Sequence, residues 1–201
     1  MKRYSHKMCR RHGVKLCQSE KCPVTRRNYP PGIHGPKGRG RLTEYAMQLA
    51  EKQKAKVIYN ITEKQFRLTF NKASKLTGNA GLNLLLLLEK RLDNVVYRLG
   101  LAETRPQARQ LVNHGHFLIN DKKVNIPSYI AKTGDIVTLQ KNKEGKKFFK
   151  TVGQKIKSDR VPGWMHLDPA KLTGKVLHNP KKEEVEQNID TQAIVEYYSR
   201  R

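Results

Sequence analysis

Three cysteines are the residues of this sequence whose type and spacing most clearly suggest chemistry. Cys9, Cys17 and Cys22 all lie within the first 22 residues, with seven and four residues between them. An odd number of clustered thiols does not suit a disulfide framework, which needs an even number. Such grouping is typical of metal binding in a reducing compartment. Because structural zinc needs four tetrahedral ligands, the cluster predicts a metal centre that a fourth residue completes.

A large excess of positive charge is the second chemical feature. The 201 residues include 41 Lys and Arg against 17 Asp and Glu, which gives a net charge of +24. Residues 1–42 hold 12 of these basic residues and a single acidic one. Self-repulsion on this scale favours a polyanionic partner, namely RNA, DNA or an anionic membrane. The longest apolar run, 84–88, is far shorter than the roughly 20 residues that span a bilayer, so we expect a soluble protein.

Basic residues recur at helical spacing between residues 91 and 113. Arg105, Arg109 and Asn113 follow one another at intervals of four, which places them on one face of a helix. A capping box at 104–107 marks the start of that helix. Guanidinium groups suit bidentate phosphate contacts, and proteins recognise double-stranded RNA mainly through phosphates and 2′-hydroxyls. The pattern predicts an outward-facing, RNA-binding stripe on two short helices.

The elements that must position these residues follow from the hydrophobic periodicity. Helices are predicted to begin near Thr43 and at a second capping box, 62–65, and residues 82–99 predict one or two more, with the Leu run between two layers. The period changes to two after residue 115. Strands are predicted at 117–119, 124–126 and 136–139, followed by a charged connector at 141–160, a docking segment around 164–167 and a final strand or helical turn at 194–198.

Several segments closely resemble the small-subunit ribosomal protein S-four family of bacterial and organellar type. The strongest are RLDNVVYRLG at 91–100, TRPQARQLV at 104–112 and NHGH at 113–116. Others follow in the family's order, from NYPPGIHG at 28–35 to IVEYYSR at 194–200. The resemblance therefore covers nearly the whole chain. Residues 91–140 alone would be less specific, because similar modules occur in RNA-modifying enzymes and in a tRNA synthetase.

The resemblance implies an α+β fold in three parts. These are a basic N-terminal arm with a metal knuckle (1–42), a mostly helical domain (43–90, completed by about 161–201) and an RNA-binding domain (91–160). It also implies a structural protein without enzymatic activity, which binds ribosomal RNA early in assembly of the 5′ domain and contributes to translational accuracy. The implied location is the ribosome, in the cytoplasm or in an organellar matrix or stroma. The implied partners are small-subunit ribosomal RNA, ribosomal proteins S-five and S-three, and messenger RNA where it enters the subunit, with no membrane.

The same resemblance suggests the fourth metal ligand. Many family members carry four cysteines in this arm, and His6 stands here in place of the first. The implied zinc ligands are His6, Cys9, Cys17 and Cys22, a Cys3His set that zinc accepts. His12 and His34 are alternative fourth ligands, and free thiols without any metal are the alternative state. An iron–sulfur cluster, which usually takes four thiolates, is a further alternative.

Together the pattern and the resemblance give a set of expected RNA contacts in the arm, the short helices and the hairpin turn. Asp93 is expected to pair with a neighbouring arginine rather than with RNA, and Tyr29 is the aromatic candidate for contact with a base. His114 and His116 are expected to contact RNA or carbonyl groups rather than a metal. The predicted contacts are Arg10, Arg11, Arg26, Arg27, Tyr29, Lys37, Arg39, Arg41, Arg91, Arg98, Arg105, Gln107, Arg109, Asn113, His114, Lys122 and Lys123.

Two other functions are compatible with a basic chain of this kind. An RNA-modifying enzyme, such as a pseudouridine synthase, could carry the same module, but it would need a catalytic domain with an essential Asp. The sequence offers no nucleophile paired with a base and no phosphate-binding Gly loop before a helix. A generic DNA-compacting protein would bind without preference for RNA, which competition with duplex DNA would reveal.

Overall fold

The computed structural model describes residues 6–17, 21–38, 40–140, 142, 148–149, 161–169 and 171–200. This part of the chain contains seven α-helices and one five-stranded antiparallel sheet, which confirms the predicted α+β class. The chain divides into two compact units. We call residues 1–68 with 188–201 the helical unit and residues 69–187 the sheet unit.

The helical unit contains α1 (His6–His12), α2 (Glu44–Ile58), the start of α3 (Glu63–Ala73) and α7 (Thr191–Ser199), with short 3-10 turns at Pro23–Thr25 and Gly35–Lys37. The predicted start of α2 is confirmed, because the Thr43 hydroxyl accepts a hydrogen bond from the Ala46 amide at 3.3 Å. Asp190 caps α7 in the same way. The final segment is therefore a helix, and it packs against α2.

A polar network links α2, α3 and α7 inside the helical unit. One Glu63 carboxylate oxygen accepts hydrogen bonds from Lys52 Nζ at 2.8 Å and from the Tyr198 hydroxyl at 3.1 Å, while Lys56 Nζ donates to the other oxygen at 3.0 Å. Burial would raise the pKa of Glu63, but the two lysines outweigh burial and lower it to about 2. The Lys52 ammonium also lies 4.5 Å above the Tyr197 ring. The network thus joins the last helix of the chain to its first long one.

The sheet unit begins with three helices that lead into the sheet. They are α4 (Ala80–Glu89), α5 (Leu92–Arg98) and α6 (Arg105–Asn113). The predicted 82–99 region is two helices, because Arg91 adopts an extended conformation between them (ψ 137°). Thr104 caps α6 by accepting from the Gln107 amide at 3.4 Å, and the Gln107 side chain accepts from the Glu103 amide at 2.8 Å. The capping box therefore forms, with its return bond one residue earlier than in the standard motif.

The five strands run in the order β2-β1-β3-β5-β4, with bounds β1 (Phe117–Ile119), β2 (Lys122–Lys123), β3 (Ile136–Leu139), β4 (Met165–Asp168) and β5 (Thr173–Val176). Asn120 and Asp121 form the predicted turn, with positive φ angles of 48° and 64°. The return strand is Lys122–Lys123, so the prediction of a strand at 124–126 is wrong. Beyond it the chain crosses to α5, where the Pro127 and Tyr129 carbonyls accept from the Asp93 and Leu92 amides.

The boundary between the units differs from the sequence-based division. Residues 161–187 belong to the sheet unit rather than to the helical one, because β5 pairs with β3 and β4 pairs with β5. The segment predicted to dock around Trp164 is β4 together with the residue before it, and Trp164 is fully buried in the core of the sheet unit. Gly174 of β5 leaves no space for a β-carbon, which would collide with the side chain of Leu99, the residue that follows α5.

The core of the sheet unit consists of apolar residues from α5, α6 and all strands except β2. Phe149 adds to it and meets the Phe117 ring edge-on, with 6.4 Å between the centroids. The rest of the predicted charged connector at 141–160 lies outside the described residues, apart from residues 142 and 148. No helix in the described part of the chain is long and apolar enough to cross a membrane.

Candidate metal centre and nucleic-acid interface

Three of the four predicted metal ligands meet in the N-terminal arm. The Sγ atoms of Cys17 and Cys22 and a ring nitrogen of His6 lie within 4.8 Å of one another. Cys17 Sγ is 3.8 Å from His6 Nδ1. Nitrogen and sulfur ligands of tetrahedral zinc, at about 2.0 and about 2.3 Å from the metal, lie about 3.6 Å apart. The spacing in the structure therefore fits two ligands of one metal ion.

Cys9 is the fourth member of what we call the cysteine cluster (His6, Cys9, Cys17 and Cys22). It is fully buried, and its thiol hydrogen-bonds to Cys22. Burial would raise the pKa of Cys22, but hydrogen bonds from the Val24 backbone and from the other three cluster members lower it to about 7. Because zinc binds thiolates rather than thiols, this environment favours a metal. Among the described residues, the group of converging ligand atoms contains neither Cys9 nor the alternatives His12 and His34, and Cys9 is assigned to the cluster by its contact with Cys22.

The helix that carries Cys9 also fixes the next segment of the arm. Arg10 Nε donates to the Tyr29 carbonyl and Arg10 Nη2 donates to the Pro30 carbonyl, both at 3.1 Å. The guanidinium also lies 4.6 Å from the centroid of the Tyr29 ring. Gly35 packs against the Pro30 carbonyl so closely that a β-carbon would collide with it. Arg10 and Tyr29, both predicted RNA contacts, thus hold the arm together.

The other predicted contacts of the arm lie on its surface. Arg11, Arg26, Arg27, Lys37 and Arg41 are exposed, whereas Arg39 lies outside the described residues.

The predicted arginine stripe of α5 and α6 is partly wrong, because several of its guanidinium groups are directed into the fold. Glu89 is fully buried at the end of α4. Its carboxylate accepts from Arg98 at 2.7 and 3.1 Å and from Asn94 Nδ2 at 2.6 Å. Arg105 in turn donates to Asn94 Oδ1 at 2.8 Å and stacks 4.4 Å from the Tyr97 ring centroid. We call Glu89, Asn94, Arg98 and Arg105 the arginine network.

A second buried carboxylate holds two more arginines. Arg91 donates to both Asp93 oxygens at 3.2 and 3.1 Å, and Arg109 donates to one of them at 3.4 Å. The prediction that Asp93 pairs with a neighbouring arginine is therefore confirmed. Arg91 is 3% exposed and Arg105 is 9% exposed, so neither lies on an outer stripe. The physical reason is that buried carboxylates need cationic partners, which the nearest arginines provide.

A polar surface remains where α6 ends and the hairpin turns. Asn113, His114, Lys122 and Lys123 are exposed there, and we call these four residues the hairpin surface. The Lys123 side chain crosses Gly115 so closely that a β-carbon at Gly115 would collide with it. Lys123 is thereby held beside the end of α6. Arg109 and Arg98 are only partly buried, with side-chain exposures of 25% and 22%, while Gln107 serves the cap.

Sequence reasoning predicted the pairing of Asp93 but missed the other partners that turn the arginines inward. Glu89 follows directly on a run of five leucines, a position where a carboxylate is expected to become buried. That position was an available signal for a structural ion pair. The sequence gives no comparable signal for Asn94 or Tyr97, because neither residue type indicates by itself whether its side chain faces a core or solvent.

Two family models together match residues 1–137 of the chain. The Ribosomal protein S4/S9 N-terminal domain matches residues 1–89, and the S4 domain matches residues 90–137. Among curated proteins, the small ribosomal subunit protein uS4 of Syntrophomonas wolfei is 49% identical over 200 residues, with 96% of each chain covered. The uS4 proteins of Halothermothrix orenii and Dictyoglomus turgidum are 47% and 50% identical over the same share of each chain. The chain belongs to the uS4 family.

The uS4 matches map onto the structure in a simple way. The S4-domain match covers α5, α6 and the strands from β1 into β3, which carry the hairpin surface. The N-terminal match covers the cysteine cluster and the helices α2 to α4. The uS4 family consists of ribosomal proteins, which as a class are structural rather than enzymatic.

Proposed function

We propose that this protein is a structural constituent of the small ribosomal subunit that binds ribosomal RNA directly and early, in the 5′ domain, and thereby supports translational accuracy. The observation that carries the proposal is the S4-domain unit, in which an apolar core supports an exposed polar surface at the end of α6 and the hairpin turn. A surface of lysines, His and Asn suits the phosphates and 2′-hydroxyls of folded RNA. We also propose that the protein has no enzymatic activity.

The test is a titration of the full-length protein with the 5′ domain of small-subunit ribosomal RNA and with a scrambled RNA of equal size. Binding is measured at low and near-physiological salt, because non-specific binding weakens steeply as salt rises. We expect the ribosomal RNA to bind orders of magnitude more tightly at the higher salt. Equal affinities for the two RNAs would refute the proposal, and stronger binding to duplex DNA would favour a DNA-compacting protein.

A paired variant locates the interface. Lys122→Ala with Lys123→Ala should weaken binding to the ribosomal RNA about tenfold or more. The slope of log affinity against log salt concentration should fall by about one for each lysine removed. The matched control is Lys181→Ala with Lys182→Ala, which removes two adjacent exposed lysines from the same unit. An equal effect of the two variants would mean that only net charge matters.

We further propose that the cysteine cluster binds one zinc ion through His6, Cys9, Cys17 and Cys22. The support is the spacing of His6, Cys17 and Cys22 and the lowered pKa of the Cys22 thiol. The metal would fix the shape of an arm whose own apolar core is small. Metal analysis of anaerobically purified protein should give about one equivalent of zinc. Less than a tenth of an equivalent of zinc or iron would refute the proposal, and stoichiometric iron with sulfide would indicate a cluster instead.

The proposed partners beyond ribosomal RNA are ribosomal proteins S-five and S-three, and messenger RNA where it enters the subunit. The support is the exposure of Lys37 and Arg41 in a Gly-rich segment, where cations can follow a passing phosphate backbone. Photo-crosslinking from position 41 in assembled subunits should yield adducts with messenger RNA. Adducts with ribosomal RNA alone would refute this part of the proposal.

A further inference from the structure

A cavity of about 480 Å³ lies beside the cysteine cluster in the helical unit. It is open to solvent, because four of its lining residues are exposed, namely Lys21, Thr25, Arg26 and Arg27. Among the described residues that line it, three are cationic and none is acidic. The lining consists of Lys21, Cys22, Pro23, Thr25, Arg26 and Arg27.

The turn that forms this cavity uses its backbone donors internally. The amide of Thr25 donates to the Cys22 carbonyl at 3.3 Å, and those of Arg26 and Arg27 donate to the Pro23 carbonyl at 3.2 and 2.8 Å. The Thr25 hydroxyl also donates to the Cys22 carbonyl, at 2.9 Å. The donors that remain for a ligand are therefore the cationic side chains, which select an anion rich in acceptor oxygens.

The three cations are available to such an anion. Lys21, Arg26 and Arg27 are all exposed, and within the described ranges none of them forms an ion pair. Arginine forks bind phosphate oxygens two at a time, and a lysine adds a mobile point charge. A phosphodiester fits this chemistry, because its two non-bridging oxygens can accept from an arginine fork and from a lysine at once.

Cys22 connects the cavity to the proposed metal centre. Its sulfur belongs to the cysteine cluster and accepts a hydrogen bond from the Val24 backbone, while its carbonyl anchors the turn that carries Arg26 and Arg27. A metal bound to that sulfur would fix the start of the turn, and with it the directions of the cations that follow.

We propose that this cavity binds a phosphodiester of the ribosomal RNA backbone, and that metal and RNA bind cooperatively because Cys22 belongs to both sites. The proposal rests on the RNA-binding function proposed above and deepens it. Binding linkage is reciprocal, so the factor by which metal raises the affinity for RNA is the factor by which RNA raises the affinity for metal.

The first experiment removes the cations of the cavity. Full-length protein with Lys21→Ala, Arg26→Ala and Arg27→Ala should bind the 5′-domain RNA about tenfold or more weakly, with a salt slope lower by about one per lost contact. The control with Lys171→Ala, Lys181→Ala and Lys182→Ala removes the same charge elsewhere. Arg26→Lys with Arg27→Lys keeps the charge but loses the forks, and should give an intermediate loss. Equal binding by the cavity variant and its control would overturn the proposal.

The second experiment measures the coupling. Zinc affinity is determined by competition with a chromophoric chelator, with and without saturating 5′-domain RNA. We expect RNA to tighten zinc binding at least fivefold in the wild type, and expect the cavity variant to keep zinc but lose this effect. Unchanged zinc affinity in the wild type, absence of zinc binding, or coupling that persists in the variant would each overturn the proposal.

These outcomes are distinguishable from failure of the proposed function. If the wild type does not prefer the ribosomal RNA to the scrambled one, the function itself fails. If the wild type keeps that preference and the cavity variant matches its control, only the phosphodiester site fails.

Discussion

The N-terminal arm and the sheet unit reach a defined shape by opposite means. In the arm, the buried apolar cluster consists of Cys9, Cys22 and Val24, and two of these three are candidate metal ligands. In the sheet unit, 18 apolar residues form one buried cluster around Trp164 and Phe117. The Glu89 carboxylate, in the same unit, is fully buried as well. Under the zinc proposal, metal ligation would take over in the arm part of the role that hydrophobic burial plays in the sheet unit.

The largest expected effect is that of metal removal on the arm. Structural zinc contributes about 10–16 kcal/mol of apparent binding free energy in small zinc peptides, which exceeds what a core of three residues can supply. Chelation should therefore abolish amide-exchange protection in residues 6–38 and leave residues 92–139 protected. Hydrogen exchange followed by mass spectrometry measures both regions in one sample. An arm that stays protected after metal analysis confirms removal would contradict the comparison.

The next largest effect is expected from the buried carboxylate of the sheet unit. Glu89→Ala leaves Arg98 and Asn94 without their buried acceptor and should lower the free energy of unfolding by about 3–5 kcal/mol, as expected for loss of one member of a buried pair. The matched control is Glu186→Ala, because Glu186 lies 3.6 Å from the same Arg98 but near the surface. That change should cost about 1 kcal/mol or less. Urea unfolding of both variants measures the two changes in the free energy of unfolding. Equal changes would show that burial of the carboxylate does not determine how much stability is lost.

A smaller effect is expected at Gly115, where the backbone is left-handed with φ of 63°. Gly115→Ala should cost about 1–2 kcal/mol of stability from backbone strain and also displace Lys123 from the hairpin surface. Gly134→Ala is the matched control, because it has φ of 89° but no atom close to the new β-carbon. Thermal unfolding should therefore shift similarly in both, while RNA affinity falls only in Gly115→Ala. Unchanged affinity in that variant would place Lys123 outside the interface.

The smallest effect concerns acid and the Glu63 network of the helical unit. Because the pKa of Glu63 is lowered from about 4.5 to about 2 in the folded state, its stabilisation is complete above about pH 4.5 and is lost as the pH falls towards 2. With a side chain that is 44% exposed, the contribution is expected to stay below about 1 kcal/mol. Glu63→Gln should flatten the dependence of the urea midpoint on pH between 5 and 2, whereas Glu183→Gln should not. Equal slopes would contradict the assignment.

The sequence predicts those parts of the fold whose signals are local. The Thr43 and Thr104 caps, the Asn120–Asp121 turn and the alternation in β1 and β3 are each specified by a few neighbouring residues, and the structure confirms them. Strand β5 was missed although it is as long as β3, because its sequence, TGKV, contains a glycine and only one strongly apolar residue and so shows no alternation. The place of β5 in the sheet depends on pairing with β3, which lies more than thirty residues earlier, and β4 joins the sheet through β5.

The candidate sites show the same limit. The cysteine cluster follows from residue type and proximity in sequence, and three of its ligand atoms do converge. For the arginines, periodicity predicts which residues share a helical face but not whether that face is turned towards solvent. Arg91 and Arg105 are buried because Asp93 and Asn94 lie within reach of their guanidinium groups. Only three-dimensional contacts distinguish such an arginine from one that is free to bind RNA.

The contact between α2 and α7 also has a consequence for synthesis of the chain. Gln48 donates to Glu196, 148 positions later, and Arg200 pairs with Glu44, so α2 acquires its partner helix only when the last segment has been translated. Domains usually fold in the order in which they emerge. Here the described strands are all translated before α7, so the sheet can fold before α2 has a partner helix to pack against. A chain truncated after residue 187 should accordingly resist protease within residues 92–139 and be cleaved within residues 44–58.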